Sequence, residues 1–132
     1  VQLLCESSAE GASAGLGLLP GRFERILAIG PHGPPKVPHM GWNRVRFDWQ
    51  LPDDDLPGDG RYYFVHSFAY GDPAASVVIS TTDHDGKIVA AIRRDRVLGL
   101  QFHPEKSHEP GFLLMRAIGE WVVRGTSRGA VR

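Results

Sequence analysis

The chain has 132 residues, and its 15 Lys and Arg are balanced by 15 Asp and Glu, so the formal net charge is zero. Without a basic excess the chain lacks the charge that nucleic-acid binders use to neutralise phosphates, and we expect no nucleic-acid partner. Hydrophobic residues make up 42% and charged residues 23%, which favours one globular domain over a disordered chain. No apolar run approaches the roughly 18 residues that cross a bilayer. A single cysteine argues against a disulfide framework, so we expect a cytoplasmic protein.

The first ten residues change from mostly apolar to mostly polar. Residues 1–5 are apolar apart from Gln2, and residues 6–10 carry Glu6, two serines and Glu10. We interpret this segment as the interior and end of a helix that stops at Gly11, with Cys5 in the core. A helix without a cap and without an initial Met suggests that upstream sequence has been lost. The alternative is an ordinary start after removal of Met.

The middle of the chain has the pattern of a sheet. Asp85-Gly86 is typical of a tight hairpin turn between two β-branched runs. Residues 48–60 contain five aspartates with interspersed Pro and Gly and predict a solvated loop rather than a calcium site, because the EF-hand spacing is absent. Alternating or continuous apolar residues predict strands at 22–29, 43–47, 61–70, 76–82, 87–93 and 97–102.

The end of the chain has the pattern of a helix. Between Gly111 and Arg124 apolar residues recur at helical spacing and predict an amphipathic helix. Residues 125–132 are interpreted as a flexible basic tail. Several strands followed by one helix favour an α/β domain with a strand-rich C-terminal half. The predicted apolar stripe of the helix consists of Phe112, Leu113, Met115, Ile118, Trp121 and Val122.

One segment combines residue types that perform acid–base chemistry. A short apolar strand ends at Phe102 and is followed by His103, Pro104 and Glu105. His103 is suited to act as a general base and acid near neutral pH, and Glu105 could orient its imidazole. Together they form the base and orienting residue of a nucleophilic triad. The nucleophile is missing, because Cys5 has no small neighbours of the kind a strained nucleophile elbow requires.

Four stretches resemble the glutamine amidotransferase subunit of imidazole glycerol phosphate synthase, a class I glutamine amidotransferase of histidine biosynthesis. Their order and spacing match that family from Val1 to about Trp121. The His-Pro-Glu sequence marks class I amidotransferases generally, whereas the stretch around Trp42 and the Lys-Ser after His-Pro-Glu point to the histidine-pathway member. The stretches are Val1-Gln2-Leu3-Leu4; Lys36-Val37-Pro38-His39-Met40-Gly41-Trp42-Asn43; Tyr62-Tyr63-Phe64-Val65-His66-Ser67; and Gly99-Leu100-Gln101-Phe102-His103-Pro104-Glu105-Lys106-Ser107.

The resemblance implies a flavodoxin-like α/β amidotransferase fold, N-terminally truncated, with a partial amidotransferase domain at residues 1–124. In that family a cysteine of a Gly-x-Cys-x-Gly-Met-Gln elbow attacks the side-chain amide of glutamine. Val1-Gln2 resembles the last two residues of this elbow, which would place the nucleophile three positions before Val1. His103 matches the proton carrier and Glu105 the residue that orients it. We therefore expect the chain alone to be inactive.

The resemblance also implies a substrate pocket and a protein partner. Gln2 and Glu10 match contacts to the α-amino and carboxylate ends of glutamine. The backbone of Ser67 and Phe68 would line the pocket, although the family often has Tyr at the second position. The ammonia passes to a cyclase subunit with a (βα)8 barrel, and the residues that resemble the contact with it are Trp42, Asn43 and Lys106.

Two other functions remain open at this stage. The chain could be a non-catalytic module that keeps only the cyclase-binding surface. It could also belong to an amidotransferase of anthranilate, aminodeoxychorismate or guanylate synthesis. No cofactor or metal is expected, because His39, His66 and His103 are not accompanied by cysteines or clustered carboxylates.

Overall fold

The computed structural model describes residues 1–27, 33, 36–48 and 59–129. Eight strands within these residues form two sheets, and one α-helix follows them. The strands are β1 (Ser7–Ser8), β2 (Arg22–Arg25), β3 (His39–Phe47), β4 (Gly60–His66), β5 (Phe68–Tyr70), β6 (Val78–Asp83), β7 (Lys87–Arg94) and β8 (Val97–Leu100). The three-stranded sheet has the order β1-β2-β5, and the five-stranded sheet has the order β4-β3-β6-β7-β8.

The predicted strands are confirmed in position where the structure describes them, with different ends. The predicted run 61–70 is divided into β4 and β5 by Ser67, where the chain crosses from the larger sheet to the smaller one. The predicted strand at 43–47 begins earlier, at His39. Within the described residues, β1 and β2 pair in parallel and the other pairs are antiparallel. Residues 28–29 and most of the predicted loop, residues 49–58, lie outside the described residues.

The predicted hairpin at Asp85-Gly86 is confirmed. Asp83 pairs with Lys87 at the end of the β6–β7 ladder. Asp85 and Gly86 both have positive φ angles, 51° and 141°. Asp tolerates the left-handed region better than most residues, and Gly adopts it without steric cost. The two residues therefore supply the reversed backbone curvature that a tight hairpin requires.

Strand β7 lies at the centre of the core because residues on both of its faces are buried. Its Ala90 packs into a cluster with Val45, Tyr62, Phe64, Phe102, Leu114 and Ala117. Val89 and Ile92 pack on the other side with Cys5, Leu19, Phe23, Tyr70 and Val77. A strand covered on both faces has a continuous apolar run rather than an alternating one, as residues 88–92 do.

The terminal helix, α1 (His108–Gly129), is longer than predicted at both ends. The predicted stripe is partly wrong, since Phe112, Leu113, Met115 and Val122 are exposed. Leu114 and Ala117 face the core instead, and Ile118 packs beside them. Apolar residues surround much of the helix, so periodicity alone did not identify the packed face.

The predicted N-terminal helix is wrong. Only Gln2–Leu4 form a helical turn, of the 3₁₀ type, and Cys5 is already extended. The carbonyls of Leu3, Leu4 and Cys5 accept hydrogen bonds from the main chain of residues 16, 19 and 17. These long-range bonds replace the intrahelical ones, because the following chain folds back over this segment. No helix among the described residues is both long and apolar enough to cross a membrane.

Candidate active site

His103 and Glu105 form a hydrogen-bonded pair directly after β8. The Nδ1 atom of His103 lies 2.8 Å from Oε1 of Glu105. Both residues sit at the start of a 3₁₀ turn, Pro104–Lys106, for which His103 is the N-cap. Proline at the first helical position fixes φ near its helical value and loses no needed donor. The sequence His-Pro-Glu thus turns the chain so that the carboxylate reaches back to the imidazole.

The hydrogen bond between His103 and Glu105 has a defined direction. The hydrogen bond from His103 is the main cause that lowers the pKa of Glu105 below 4.5, so the carboxylate is ionised at neutral pH and only accepts. In the neutral imidazole of His103, Nδ1 therefore carries the proton and Nε2 presents a lone pair. A neutral imidazole held in this tautomer can take a proton from a nucleophile at Nε2, and the carboxylate stabilises the resulting imidazolium.

Ser107 fixes this turn to the sheet. Its hydroxyl donates to the His103 carbonyl at 2.6 Å and accepts from the Tyr63 amide at 3.0 Å. The His103 amide in turn donates to the Tyr63 carbonyl at 2.9 Å. Ser107 is completely buried, so water cannot replace these bonds. The position of His103 thus depends on β4 as well as on β8.

We predict that Ser107→Ala destabilises the fold by about 2 kcal/mol, because it removes the acceptor of the Tyr63 amide and one of the two donors to the His103 carbonyl, which keeps only the Lys106 amide. Urea denaturation measures the free energy of unfolding. The matched control is Ser76→Ala, since Ser76 is exposed, and it should change that free energy by less than about 0.5 kcal/mol. Equal effects of the two substitutions would contradict the role assigned to Ser107.

A cavity of about 870 Å³ opens beside His103. All four residues predicted to contact glutamine, Gln2, Glu10, Ser67 and Phe68, line it. Gln2 is held in place because its Oε1 accepts a hydrogen bond from the Ser8 hydroxyl at 2.8 Å. The N-terminal segment and the crossing from β4 to β5 therefore meet at one cavity with His103. Their role in substrate binding stays a prediction.

Sequence reasoning missed Gln101 in the wall of this cavity. Its Oε1 atom is buried and has no hydrogen-bond partner among the residues that the structure describes. A buried acceptor without a partner carries a desolvation cost that a ligand donor would remove. The sequence signal for Gln101 was its position two residues before His103, because alternate residues at the end of a strand lie on the same face and therefore at the same site.

The three residues predicted to contact a partner do not all have the same surroundings. Trp42 is 38% exposed, and its ring stacks in parallel on His108 with centroids 5.1 Å apart. Asn43 is half-buried and donates its Nδ2 to the Asp83 carbonyl at 2.6 Å. Lys106 is exposed on the turn that carries Glu105. Their function as an interface stays a prediction.

The prediction that Cys5 is a core residue is confirmed. Cys5 is completely buried in the cluster with Leu19 and Phe23 and is not among the residues that line the cavity. Burial raises the pKa of its thiol, which lowers the fraction of reactive thiolate. We expect a thiol reagent such as a maleimide to modify Cys5 only in denaturant, and rapid labelling of the folded chain would contradict this placement.

The three histidines considered as metal ligands use their ring nitrogens in different hydrogen bonds. His39 and His66 bond to each other, whereas His103 bonds to Glu105. In the described part of the chain, no group of three or more His, Cys, Asp or Glu side chains is arranged to hold a metal ion.

Comparison with known proteins assigns the chain to a family. Residues 2–116 match the family model described as glutamine amidotransferase class-I. Among the curated relatives are proteins named imidazole glycerol phosphate synthase subunit HisH. The one from Geobacillus thermodenitrificans is 43% identical over 132 residues, covering 98% of this chain and 61% of the relative. The one from Shouchella clausii is 41% identical over 124 residues, covering 92% and 59%. The one from Nitrosomonas europaea is 35% identical over 126 residues, covering 92% of this chain and 59% of the relative.

The chain spans about three fifths of the length of these relatives. The family model nevertheless includes β1 to β8, the four predicted glutamine contacts, His103 and Glu105 within its matched range. The resemblance found in the four sequence stretches is confirmed, and so is the α/β amidotransferase fold class. The chain belongs to the class I glutamine amidotransferase family.

Proposed function

We propose that the chain is part of the glutaminase subunit of an imidazole glycerol phosphate synthase, in which His103 carries protons and Glu105 orients it. The observation that carries this proposal is the 2.8 Å bond between His103 and Glu105 at a cavity that also contains Gln2, Glu10, Ser67 and Phe68. The names of the relatives support the histidine pathway over other amidotransferase branches.

The proposed chemistry is hydrolysis of the side-chain amide of glutamine. A cysteine thiolate attacks the amide carbon, and the imidazolium of His103 gives its proton to the leaving nitrogen, which departs as ammonia. His103 then takes a proton from water, whose oxygen attacks the thioester and releases glutamate. The thiolate would come from the part of the relatives' length that this chain does not span, because Cys5 is buried away from the cavity.

The proposed partner is the barrel-shaped cyclase subunit, which would receive ammonia and form imidazole glycerol phosphate. The relatives are named as subunits of the synthase, which supports an assembly with another subunit. Trp42, Asn43 and Lys106 are the proposed contacts, and Trp42 in particular has the exposed aromatic surface typical of interface anchors. The single cysteine fits the reducing cytoplasm as the proposed location.

A chimaeric subunit tests the proposal. Residues 1–132 of this chain would replace the matching segment of the Geobacillus thermodenitrificans subunit, which then supplies its own remaining residues. We expect glutamate release in the presence of that organism's cyclase, and loss of the release when His103 is replaced by Ala. A folded chimaera that binds the cyclase but hydrolyses no glutamine would support the non-catalytic module instead. Binding only to a chorismate-using partner would support a different pathway.

The 132-residue chain by itself is expected to release no glutamate above the rate of a buffer control. The reason is that its only thiol belongs to Cys5, which is buried. A coupled assay with glutamate dehydrogenase measures the release. Glutamate release that disappears in the Glu105→Gln variant would contradict this prediction.

A further inference from the structure

A buried pair of histidines lies next to the candidate site and has no part in the chemistry described above. His39 on β3 and His66 at the end of β4 are both buried. Nδ1 of His39 lies 2.8 Å from Nε2 of His66. Nδ1 of His66 lies 2.8 Å from the carbonyl oxygen of Phe68. The His39 ring is held between Phe64 and His84, with centroids 4.6 and 4.0 Å away.

The other end of this chain of contacts reaches Asn43. Nε2 of His39 lies 3.0 Å from Oδ1 of Asn43. The amide cannot be reversed without cost, because its Nδ2 donates to the Asp83 carbonyl at 2.6 Å. Asn43 therefore presents an acceptor to His39. The contacts form one line from the half-buried Asn43, through two rings, to Phe68 at the cavity.

The number of available protons limits how many of these three contacts are hydrogen bonds. The Phe68 carbonyl and the Asn43 oxygen only accept, so the three contacts call for three protons. Burial lowers the pKa of His39 and lowers that of His66 to about 4, so two neutral rings supply two protons at pH 7. We assign the two protons to the two shorter contacts, both 2.8 Å. Each ring thus carries its proton on Nδ1, and the 3.0 Å contact with Asn43 lacks one.

The hydrogen bond to Phe68 lies where it can set the shape of the glutamine pocket. Ser67 forms the crossing between the two sheets, Phe68 is the first residue of β5, and both line the cavity. A carbonyl fixed by a side chain of the preceding strand restricts the backbone of both residues. The crossing is further held from the other sheet, since the Ser67 carbonyl accepts from the Ile26 amide at 3.0 Å.

We propose that Asn43, His39 and His66 form a relay of contacts, hydrogen-bonded between the two rings and to Phe68, in which the two histidines position the Phe68 carbonyl and with it the pocket backbone. Asn43 contacts the His39 end of this relay at 3.0 Å. This inference rests on the proposed function, in which Phe68 contacts glutamine and Asn43 lies near the partner. His39 and His66 are positioning residues and do not touch the reacting atoms. The titratable groups that face the pair from neighbouring elements are His84 and His103.

Two variants of His66 separate positioning from packing. The amide nitrogen of Asn reaches the position of Nδ1, whereas that of Gln reaches the position of Nε2. His66→Asn should therefore keep the bond to the Phe68 carbonyl, and His66→Gln should lose it. The matched control is His84→Phe, which keeps a ring against His39 but lies outside the relay. Circular dichroism establishes that each variant is folded.

Nuclear magnetic resonance of the 132-residue chain provides the first readout. We expect ¹⁵N spectra to show both rings protonated on Nδ1 in the wild type. The ¹³C shift of the Phe68 carbonyl should be kept in His66→Asn and His84→Phe and changed in His66→Gln. A proton on Nε2 of His66, or equal carbonyl shifts in His66→Asn and His66→Gln, would overturn the relay.

A glutamine titration followed by the Phe68 amide provides the second readout. We expect His66→Gln to weaken the apparent Kd about tenfold, and His66→Asn and His84→Phe to leave it within about twofold. An equal loss in both His66 variants would overturn the positioning role. If the wild-type chain binds no glutamine, the proposed function of the pocket fails, while the tautomer and carbonyl measurements still decide the relay.

The role of Asn43 has its own test. Asn43→Asp places a carboxylate opposite Nε2 of His39, which should raise the pKa of His39 by about one unit or more. Because the rings are bonded, the nitrogen resonances of His66 should shift with the same midpoint. Asn43→Ala is the control without the charge. A titration of His39 that leaves His66 and Phe68 unchanged would remove Asn43 from the relay.

Discussion

Replacing His103 with Ala in the chimaeric subunit is expected to lower kcat for glutamine hydrolysis about a thousandfold, the range found for loss of a general acid and base. The imidazole is the proposed carrier of a proton in both acylation and deacylation, so no step of the reaction proceeds normally without it. Binding of glutamine should change little, because the predicted contacts to its ends come from Gln2 and Glu10. A stopped assay of glutamate release gives kcat and KM separately.

Glu105→Gln should have a smaller effect on the same reaction, about a hundredfold in kcat. The amide can still contact the ring, but it does not stabilise the imidazolium as a carboxylate does. Glu109→Gln is the matched control, since Glu109 is an exposed carboxylate on the following helix, and it should leave kcat within about twofold. The double variant with His103→Ala should be no slower than His103→Ala alone, since the two residues act as one unit.

A loss of kcat that is equal for Glu105→Gln and Glu109→Gln would contradict the orienting role. Additive losses in the double variant would also contradict it, because they would mean that the carboxylate acts independently of the imidazole. An increase in KM without a change in kcat would instead place Glu105 in glutamine binding.

The His103–Glu105 pair could be predicted from the sequence because its geometry is local. His103, Glu105 and the proline between them determine the turn, and this turn brings the two side chains into contact. The hairpin at Asp85-Gly86 was predictable for the same reason, since the left-handed backbone is a property of the two residues themselves. The resemblance to the amidotransferase family added the cavity residues, which come from distant parts of the chain.

Features that depend on long-range contacts were not predictable in this way. Residues 1–5 have apolar side chains at helical spacing, yet the carbonyls of residues 3–5 accept hydrogen bonds from the amides of residues 16, 17 and 19. The packed face of α1 was misassigned because several of its faces are apolar and only the sheet decides which is covered. The pairing of His39 with His66 depends on the register of β3 against β4, which places the two residues directly opposite each other.

The same register links the fold to the site. Because His39 is opposite His66, and Asn43 lies four residues along the same strand, one ladder carries both ends of the relay. The N-cap His103 is bridged to Tyr63, three residues before His66 on β4. Strand β4 therefore positions the proposed proton carrier through Ser107 and the pocket backbone through His66. A shift of β4 by one residue would displace both.

Acid should destabilise the chain through His66. An unfolded histidine titrates near pH 6.5, whereas burial is the main cause that lowers the pKa of His66 to about 4 in the fold. Between these values the unfolded chain binds a proton that the folded chain does not, so the free energy of unfolding falls as pH decreases. From pH 7.5 to 5 the loss should be about 2 kcal/mol, because the slope approaches about 1.4 kcal/mol for each pH unit only below pH 6.5.

Urea denaturation at pH 7.5 and pH 5.0 measures this loss, and His66→Asn is the matched variant because it keeps the bond to Phe68 and removes the titrating group. The wild type should lose about 2 kcal/mol more than His66→Asn between the two pH values. Glu105 contributes little in this window, because its pKa lies below 4.5. The lowered pKa of His39 acts in the same direction and is present in both proteins. Equal losses in the two proteins would mean that His66 takes up its proton without disturbing the fold, and the buried, neutral relay would then be wrong.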